Sequence, residues 1–253
     1  LPGGNGARNY GFKMSQGEYV NWFDSDDLMN PDYISCRIEY FKKNLDVVFC
    51  YGAYFNDKTN KTNKTKVFIS KPNTTDLTLL NYIESKFYLA IAGSLWRKTF
   101  LDEKMLFDEK REKLQDREFH FRIFLNKPKY AFYDKNYLFL IRRSENSVSS
   151  DKCLTEKKMD DVFTYHYYTF INYININEKD KLHYKNYAFK KTLGGFYYSV
   201  YRKDRLIDRL NYLITSRFKL LKAINSFNSK IFKMKYIILL IIITITKKGF
   251  KFI

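Results

Sequence analysis

Cysteine, proline and glycine are all scarce in this sequence. Its three cysteines, Cys36, Cys50 and Cys153, are scattered and odd in number among 253 residues, which excludes a disulfide-stapled scaffold and a zinc knuckle. They fit a reducing compartment or simple burial. Ten glycines and four prolines exclude collagen-like repeats and long low-complexity linkers. His120, His166 and His183 show no paired ligand spacing. A Gly-rich phosphate loop, a serine-nucleophile motif and a zinc motif are all absent. The chain opens on Leu1-Pro2-Gly3 with neither an initiator Met nor a basic segment and apolar run, so no signal peptide is expected, and it reads as a fragment without its N-terminal part. The apolar run Tyr236–Thr246 is fenced by Lys233, Lys235, Lys247 and Lys248 and falls well short of the roughly 20 residues that span a bilayer.

What is present suits a globular chain with a real core. The composition is 45% hydrophobic, 19% aromatic and 28% charged, enough for one large domain or two small ones. The net charge of +18 is unevenly spread. Residues 181–253 hold 17 Lys and Arg against only Asp204 and Asp208, whereas residues 1–180 hold 28 basic and 25 acidic residues. A one-sided basic tail meets phosphate, on a nucleic acid or on an anionic lipid surface.

Periodicity and capping signals give an α/β pattern. Ala7–Gln16 reads as a helix with Gly17 as its cap, and Tyr19–Phe23 as a strand running into Asp24-Ser25-Asp26-Asp27. Asn30-Pro31 predicts an N-cap and first helical position, followed by Ile34, Ile38 and Phe41 on one face and an end near Asn44. Val47–Tyr51 is a buried strand, 56–66 an exposed polar loop, 77–87 a helix and 137–143 a strand. Beyond about residue 151 the pattern becomes helical. Strand, acidic loop, helix, strand is the order of a sheet whose sites lie at strand C-termini.

Asp24-Ser25-Asp26-Asp27 is the sharpest local signal. Three carboxylates in four residues repel one another unless a cation or donors compensate. Hard divalent ions such as Mg²⁺ and Mn²⁺ take oxygen ligands and keep substrate phosphates in their shell. A solvated turn capping the next helix is the competing reading. Arg8 reaches either a phosphate or the acidic loop; Trp22 is a core residue, and Trp96 is either a sugar-stacking face or core.

Gly6-Ala7-Arg8-Asn9-Tyr10-Gly11, Gln16-Gly17-Glu18-Tyr19-Val20 and Phe23-Asp24-Ser25-Asp26-Asp27, in this order and spacing, resemble the core of family 2 glycosyltransferases. Phe107-Asp108-Glu109 and Gln115-Asp116-Arg117-Glu118-Phe119 continue the resemblance, which runs on to Arg142-Arg143-Ser144. It covers residues 1 to about 150. It implies an A-type fold, an α/β sheet with flanking helices whose first strands precede Leu1 and are missing here, followed by a helical C-terminal region. It implies a nucleotide-diphosphate sugar donor, a glycan or lipid-linked acceptor and a divalent metal, Mn²⁺ or Mg²⁺. The family's metal-binding Asp-x-Asp maps to Asp24 and Asp26, with Asp27 adjacent. Arg8, Asp24 and Asp26 would serve the nucleotide sugar, and Trp96, Arg142 and Arg143 the acceptor or diphosphate. Asp116 matches the catalytic base of an inverting displacement. Gln115 replaces the acid usual before that base, and Ser144 stands where many relatives have a His.

The expected organisation is a partial catalytic core over 1–150, a helical extension over 151–200 and a basic amphipathic and apolar tail over 201–253. In the tail Leu206, Leu210, Leu213, Ile214, Phe218, Leu221 and Ile224 recur at near-helical spacing among Arg205, Arg209, Lys219 and Lys222. The expectation is a cytoplasmic enzyme of bacterial surface polysaccharide synthesis, peripheral at the inner face of the cell membrane, with an anionic membrane surface as partner and no nucleic acid. The alternatives are a basic nucleic-acid-binding protein and an inactive truncated homologue.

Overall fold

The computed structural model describes residues 3–55, 79–101, 105–142, 156–174, 181–225 and 230–248. The predicted loop at 56–66 and Arg143 lie outside these. The chain divides into two units, Leu1–Arg111 with Gln115–Cys153, and Glu112–Leu114 with Leu154–Ile253.

The first unit is mixed α/β. Helix α1 (Gly4–Met14) leads to β1 (Tyr19–Val20), which pairs antiparallel with β5 (Ser94–Arg97). Strand β3 (Val47–Cys50) lies between β5, antiparallel, and β6 (Tyr130–Tyr133), parallel, giving the order β1-β5-β3-β6. A second sheet has the order β2-β7-β4, from β2 (Leu28–Met29), β7 (Phe139–Arg142) and β4 (Ala53–Phe55). The resemblance implied a single sheet. Gly52 lies between β3 and β4, and a Cβ there would stand 2.5 Å from the Phe139 ring, so only glycine lets the chain leave β3 this close to β7.

Every residue of β3 is buried, as its continuous Val-Val-Phe-Cys run predicts for a central strand. Phe49 meets Trp96 edge-on at 5.8 Å and stacks near Phe124 of α4 (Gln115–Leu125). Tyr33, Cys50, Ala92, Tyr133, Leu138 and Phe139 form a second buried cluster. Burial pushes the Cys50 thiol up to about 12, so it behaves as a small apolar side chain.

Three local expectations are corrected. Helix α1 ends at Met14 with Ser15 as its cap, two residues before Gly17; Ser15 N–H bonds back to Gly11 O, while the Lys98 ammonium holds the Ser15 carbonyl. Strand β1 stops at Val20 because the Asn21 side chain takes over, its Nδ2 donating to Ala92 O and Ser94 O. Asn30-Pro31 opens a turn, not a helix: Tyr33 N–H closes a tight turn on Asn30 O while Asn30 Oδ1 accepts the Asp32 N–H, and helix α2 starts only at Ser35 (Ser35–Ile38), passing into a 3₁₀ turn over Glu39–Lys43. That turn ends at Asn44 in the left-handed conformation, close to the expected end. The helix expected over 77–87 is α3 (Leu79–Ile83) among the described residues.

The second unit consists, among its described residues, largely of α5 (Glu156–Ile174), α6 (Lys181–Tyr201), α7 (Leu206–Asn225) and α8 (Lys230–Thr246). Phe163, Leu193, Phe196, Leu220, Ile224 and Ile243 are buried within it. At Gly195 a Cβ would sit 2.9 Å from Phe163 Cα, so α5 and α6 approach closely there. The described helices α5 to α8 all fall within this unit.

Candidate active site

The acidic loop begins where the β1 segment leaves the core. Val20 and Trp22 are buried, Phe23 is half-buried against Tyr33 and Phe139, and Asp24, Ser25 and Asp26 are exposed. Trp22 packs edge-on against Phe107 and Phe119, and its indole N–H donates to Arg8 O at 3.0 Å. This ties α1 to the strand, and Arg8 Nη2 then donates to Asp24 Oδ1 at 2.8 Å. Asp27 N–H closes the turn on Asp24 O, and Asp27 Oδ1 accepts the Arg142 N–H at 2.9 Å from the end of β7. Arg8, Asp24, Asp27 and Arg142 therefore meet around one loop, with Asp26 at its exposed side. A groove of about 560 Å³ opens beside it, lined by Arg8, Phe12, Val20, Trp22 and Asp24 among others.

The electrostatics of this loop are crowded. Burial above all pushes the Asp27 carboxyl up to about 6; the Asp24 and Asp26 charges push the same way, against the Arg142 N–H and guanidinium. Among the described residues no group of three His, Cys, Asp or Glu side chains converges as a metal cage. The donor set nevertheless fits a hard divalent ion bound by one or two carboxylates and shared with substrate phosphates, the usual arrangement for Mg²⁺. Such an ion would offset the repulsion that burial intensifies at Asp27.

The two halves of the sequence pattern are joined by asparagines. Asn9 is buried on α1 and makes a reciprocal pair with Phe107, Nδ2 donating to Phe107 O and Phe107 N–H to Asn9 Oδ1, both at 2.9 Å. Asn5 donates to Asp108 O and Arg111 O. These bonds anchor the Phe107-Asp108-Glu109 segment to α1 and thereby set the approach to α4.

Asp116 lies in the first turn of α4, where the helix dipole favours a carboxylate. It is half-buried. Its Oδ1 accepts the Arg117 N–H at 2.9 Å, and its Oδ2 accepts the Tyr88 hydroxyl. Burial pushes its pKa above the ordinary carboxylate value, while Tyr88 and Arg117 pull it back. Its carbonyl accepts from His120 Nδ1 at 2.8 Å, and His120 Nε2 faces Ser94 Oγ at 3.0 Å. Burial holds the His120 imidazole neutral, its pKa down at about 3. Among the described residues His120 thus has a core role.

One further candidate comes out differently. Trp96 is fully buried, enclosed by Phe49, Phe100, Phe119 and His120, with no ring face open to a sugar. The packing of α4 on this face of β5, through Phe119 and His120, decides this. Sequence reasoning did not single out Tyr88, Tyr82 or Arg117. Tyr88 and Arg117 carry no local signal, since their partners lie 28 and 35 residues away in the chain.

Comparison with known proteins agrees with this architecture. The sequence model of glycosyl transferase family 2 matches residues 2–128. The chain is 26% identical over 189 residues to the uncharacterized glycosyltransferase MJ1057 of Methanocaldococcus jannaschii, covering 74% of this chain and 60% of that protein. It is 26% identical over 150 residues to the uncharacterized glycosyltransferase EpsJ of Bacillus subtilis, covering 56% of this chain and 43% of EpsJ. It therefore spans less than two thirds of the length of these relatives. The crystal structure of S. aureus TarS 1–349 in complex with UDP-GlcNAc superposes with a TM-score of 0.56 at 15% identity, over 88% of this chain and 60% of that one, a likeness of A-type fold. With half of its length matched by the family's own pattern, and the acidic loop and Asp116 both inside that match, the chain belongs to glycosyl transferase family 2.

Proposed function

We propose that the protein transfers a sugar from a nucleotide-diphosphate donor to a hydroxyl of a glycan or lipid-linked acceptor in bacterial surface polysaccharide synthesis, with inversion at the anomeric carbon. The observation that carries this reading is the presence, in one α/β unit, of two held carboxylate sites: the loop Asp24–Asp27 between Arg8 and Arg142, and Asp116 between Tyr88 and Arg117. Asp24 and Asp26, with Asp27 beside them, would hold Mn²⁺ or Mg²⁺, which supplies charge neutralisation at the departing diphosphate. Asp116 takes the proton of the acceptor hydroxyl as that oxygen bonds to the anomeric carbon opposite the breaking bond to diphosphate. Arg8 orients Asp24. The TarS complex with UDP-GlcNAc supports a uridine-nucleotide sugar as the first donor to try.

The test is turnover of UDP-GlcNAc and other nucleotide-diphosphate sugars by the full-length protein with Mn²⁺, with and without EDTA. Asp116→Asn is expected to lose on the order of 10²–10⁴-fold in kcat, and Asp26→Ala to lose donor turnover with a weakened Mn²⁺ requirement. Full rates in both variants overturn these roles. An α-linked donor should give a β-linked product.

The second unit supports a place for this reaction at an anionic membrane surface. Ile207, Ile214, Phe218 and Leu221 form an exposed stripe on α7, and Met234, Ile238, Ile241 and Ile245 another on α8. The opposite stripes, with Leu220 and Ile224 on α7 and Tyr236, Leu239, Leu240 and Ile243 on α8, are buried. Residues 201–253 carry 13 Lys and Arg against Asp204 and Asp208, so a second copy of this chain would meet like charge while acidic headgroups would meet opposite charge. No helix among the described residues is long and apolar enough to cross a membrane. Lying in the headgroup layer with one face in the acyl boundary suits such helices.

A further inference from the structure

We infer that Tyr88 is a positioning residue for the reaction, holding and aiming the Asp116 carboxylate; this rests on the reading of Asp116 as the base. The Tyr88 hydroxyl donates to Asp116 Oδ2, while the other oxygen is held by the Arg117 N–H at 2.9 Å. Each carboxylate oxygen has two lone pairs, so both bonds can form and still leave acceptor capacity for a substrate hydroxyl. A carboxylate held at one oxygen only can swing about its Cβ–Cγ bond; held at both, it cannot.

The segment carrying Tyr88 is itself fastened to α4. Helix α3 ends in a turn at Ser85, whose positive φ of 60° stops the helix. From α4, Arg117 Nη2 donates to Ser85 Oγ at 2.8 Å and to Tyr82 O at 3.2 Å, with the guanidinium over the Tyr82 ring. Phe87 and Leu89 then bury their side chains on either side of Tyr88. The hydroxyl thus reaches Asp116 from a segment anchored at three points. Burial and the Asp116 charge raise the Tyr88 phenol well above its ordinary value, so it stays a donor across the working pH range. Its hydrogen bond favours the ionised form of Asp116, against the burial that favours the protonated one.

The experiment is Tyr88→Phe in the full-length protein, read by ¹³C NMR titration of the Asp116 carboxyl, whose resonance is identified by its loss in Asp116→Asn. The expected result is a midpoint higher by about one pH unit, the scale of one hydrogen bond to a carboxylate. The acid limb of kcat with the turned-over nucleotide sugar should move by the same amount. That is about a tenfold loss below the limb, with most of the rate recovered above it and the donor KM within about twofold. A midpoint and limb that stay in place in Tyr88→Phe overturn the inference. A fully active Asp116→Asn overturns instead the assignment of the base, and the carboxyl titration then still decides whether Tyr88 holds Asp116.

Discussion

Arg8 and Asp24, 16 residues apart, are joined by a 2.8 Å ion pair that fixes the first carboxylate of the acidic loop to helix α1. The pair is partly solvated, so its worth lies in geometry more than in stability.

Arg8→Ala should consequently leave the fold nearly intact, with a cost below about 1 kcal/mol, because exposed ion pairs contribute little. Donor handling should suffer, since Asp24 is then free to turn. The expected result is a rise of roughly tenfold in donor KM with a melting temperature lowered by no more than about 4 °C. An unchanged KM alongside an unchanged melting temperature would leave Arg8 without a role at the site.

Asp116→Asn should separate stability from activity. Burial raises the pKa of Asp116 in the folded state, so the folded protein binds that proton more tightly than the unfolded chain. Its contribution is most favourable below the unfolded value and falls as pH rises through the folded one. An amide carries no such penalty, and the Tyr88 hydroxyl can reverse to accept from it. The variant should be at least as stable as the wild type at pH 8 in urea unfolding, with an advantage that shrinks towards pH 4. A variant clearly less stable at pH 8 would contradict this account.

His120 gives the opposite sign. Its folded-state value near 3 lies far below the roughly 6.5 of an unfolded histidine. The unfolded chain therefore takes up a proton that the folded protein refuses, and stability is lost as pH falls from about 6.5 towards 3. His120→Gln is expected to be less stable than the wild type at pH 7, with the gap narrowing by pH 5. A gap that is constant between the two pH values would mean that His120 takes up its proton in the fold as readily as in the unfolded chain.

The basic helices make a prediction about lipids. Full-length protein should pellet with vesicles containing phosphatidylglycerol and not with pure phosphatidylcholine, and the binding should weaken in high salt. Phe218→Glu with Ile238→Glu, on the two exposed stripes, should abolish pelleting while leaving the helix content by circular dichroism unchanged. Equal pelleting of wild type and variant would remove the membrane from the proposed function. Salt-sensitive binding of a nucleic acid, without vesicle binding, would favour the other phosphate-bearing partner.

Local chemistry was enough to find much of this protein in its sequence. The buried run Val47–Cys50, the acidic loop after Tyr19–Phe23, the helix start at Asp116 and the amphipathic helix α7 all follow from the periodicity and charge of neighbouring residues. The family resemblance rests on such contiguous stretches. Other features depend on partners far along the chain and have no local signature. Asp27 meets the N–H of Arg142 across 115 residues, Asn9 meets Phe107 across 98, and Tyr88 meets Asp116 across 28. Trp96 is enclosed by Phe49, Phe100, Phe119 and His120, and at Gly52, between β3 and β4, Phe139 leaves no room for a Cβ. The choice of which apolar stripe of α7 or α8 turns inward was also made by packing, since periodicity reveals that a helix has apolar faces but not which neighbour will cover them.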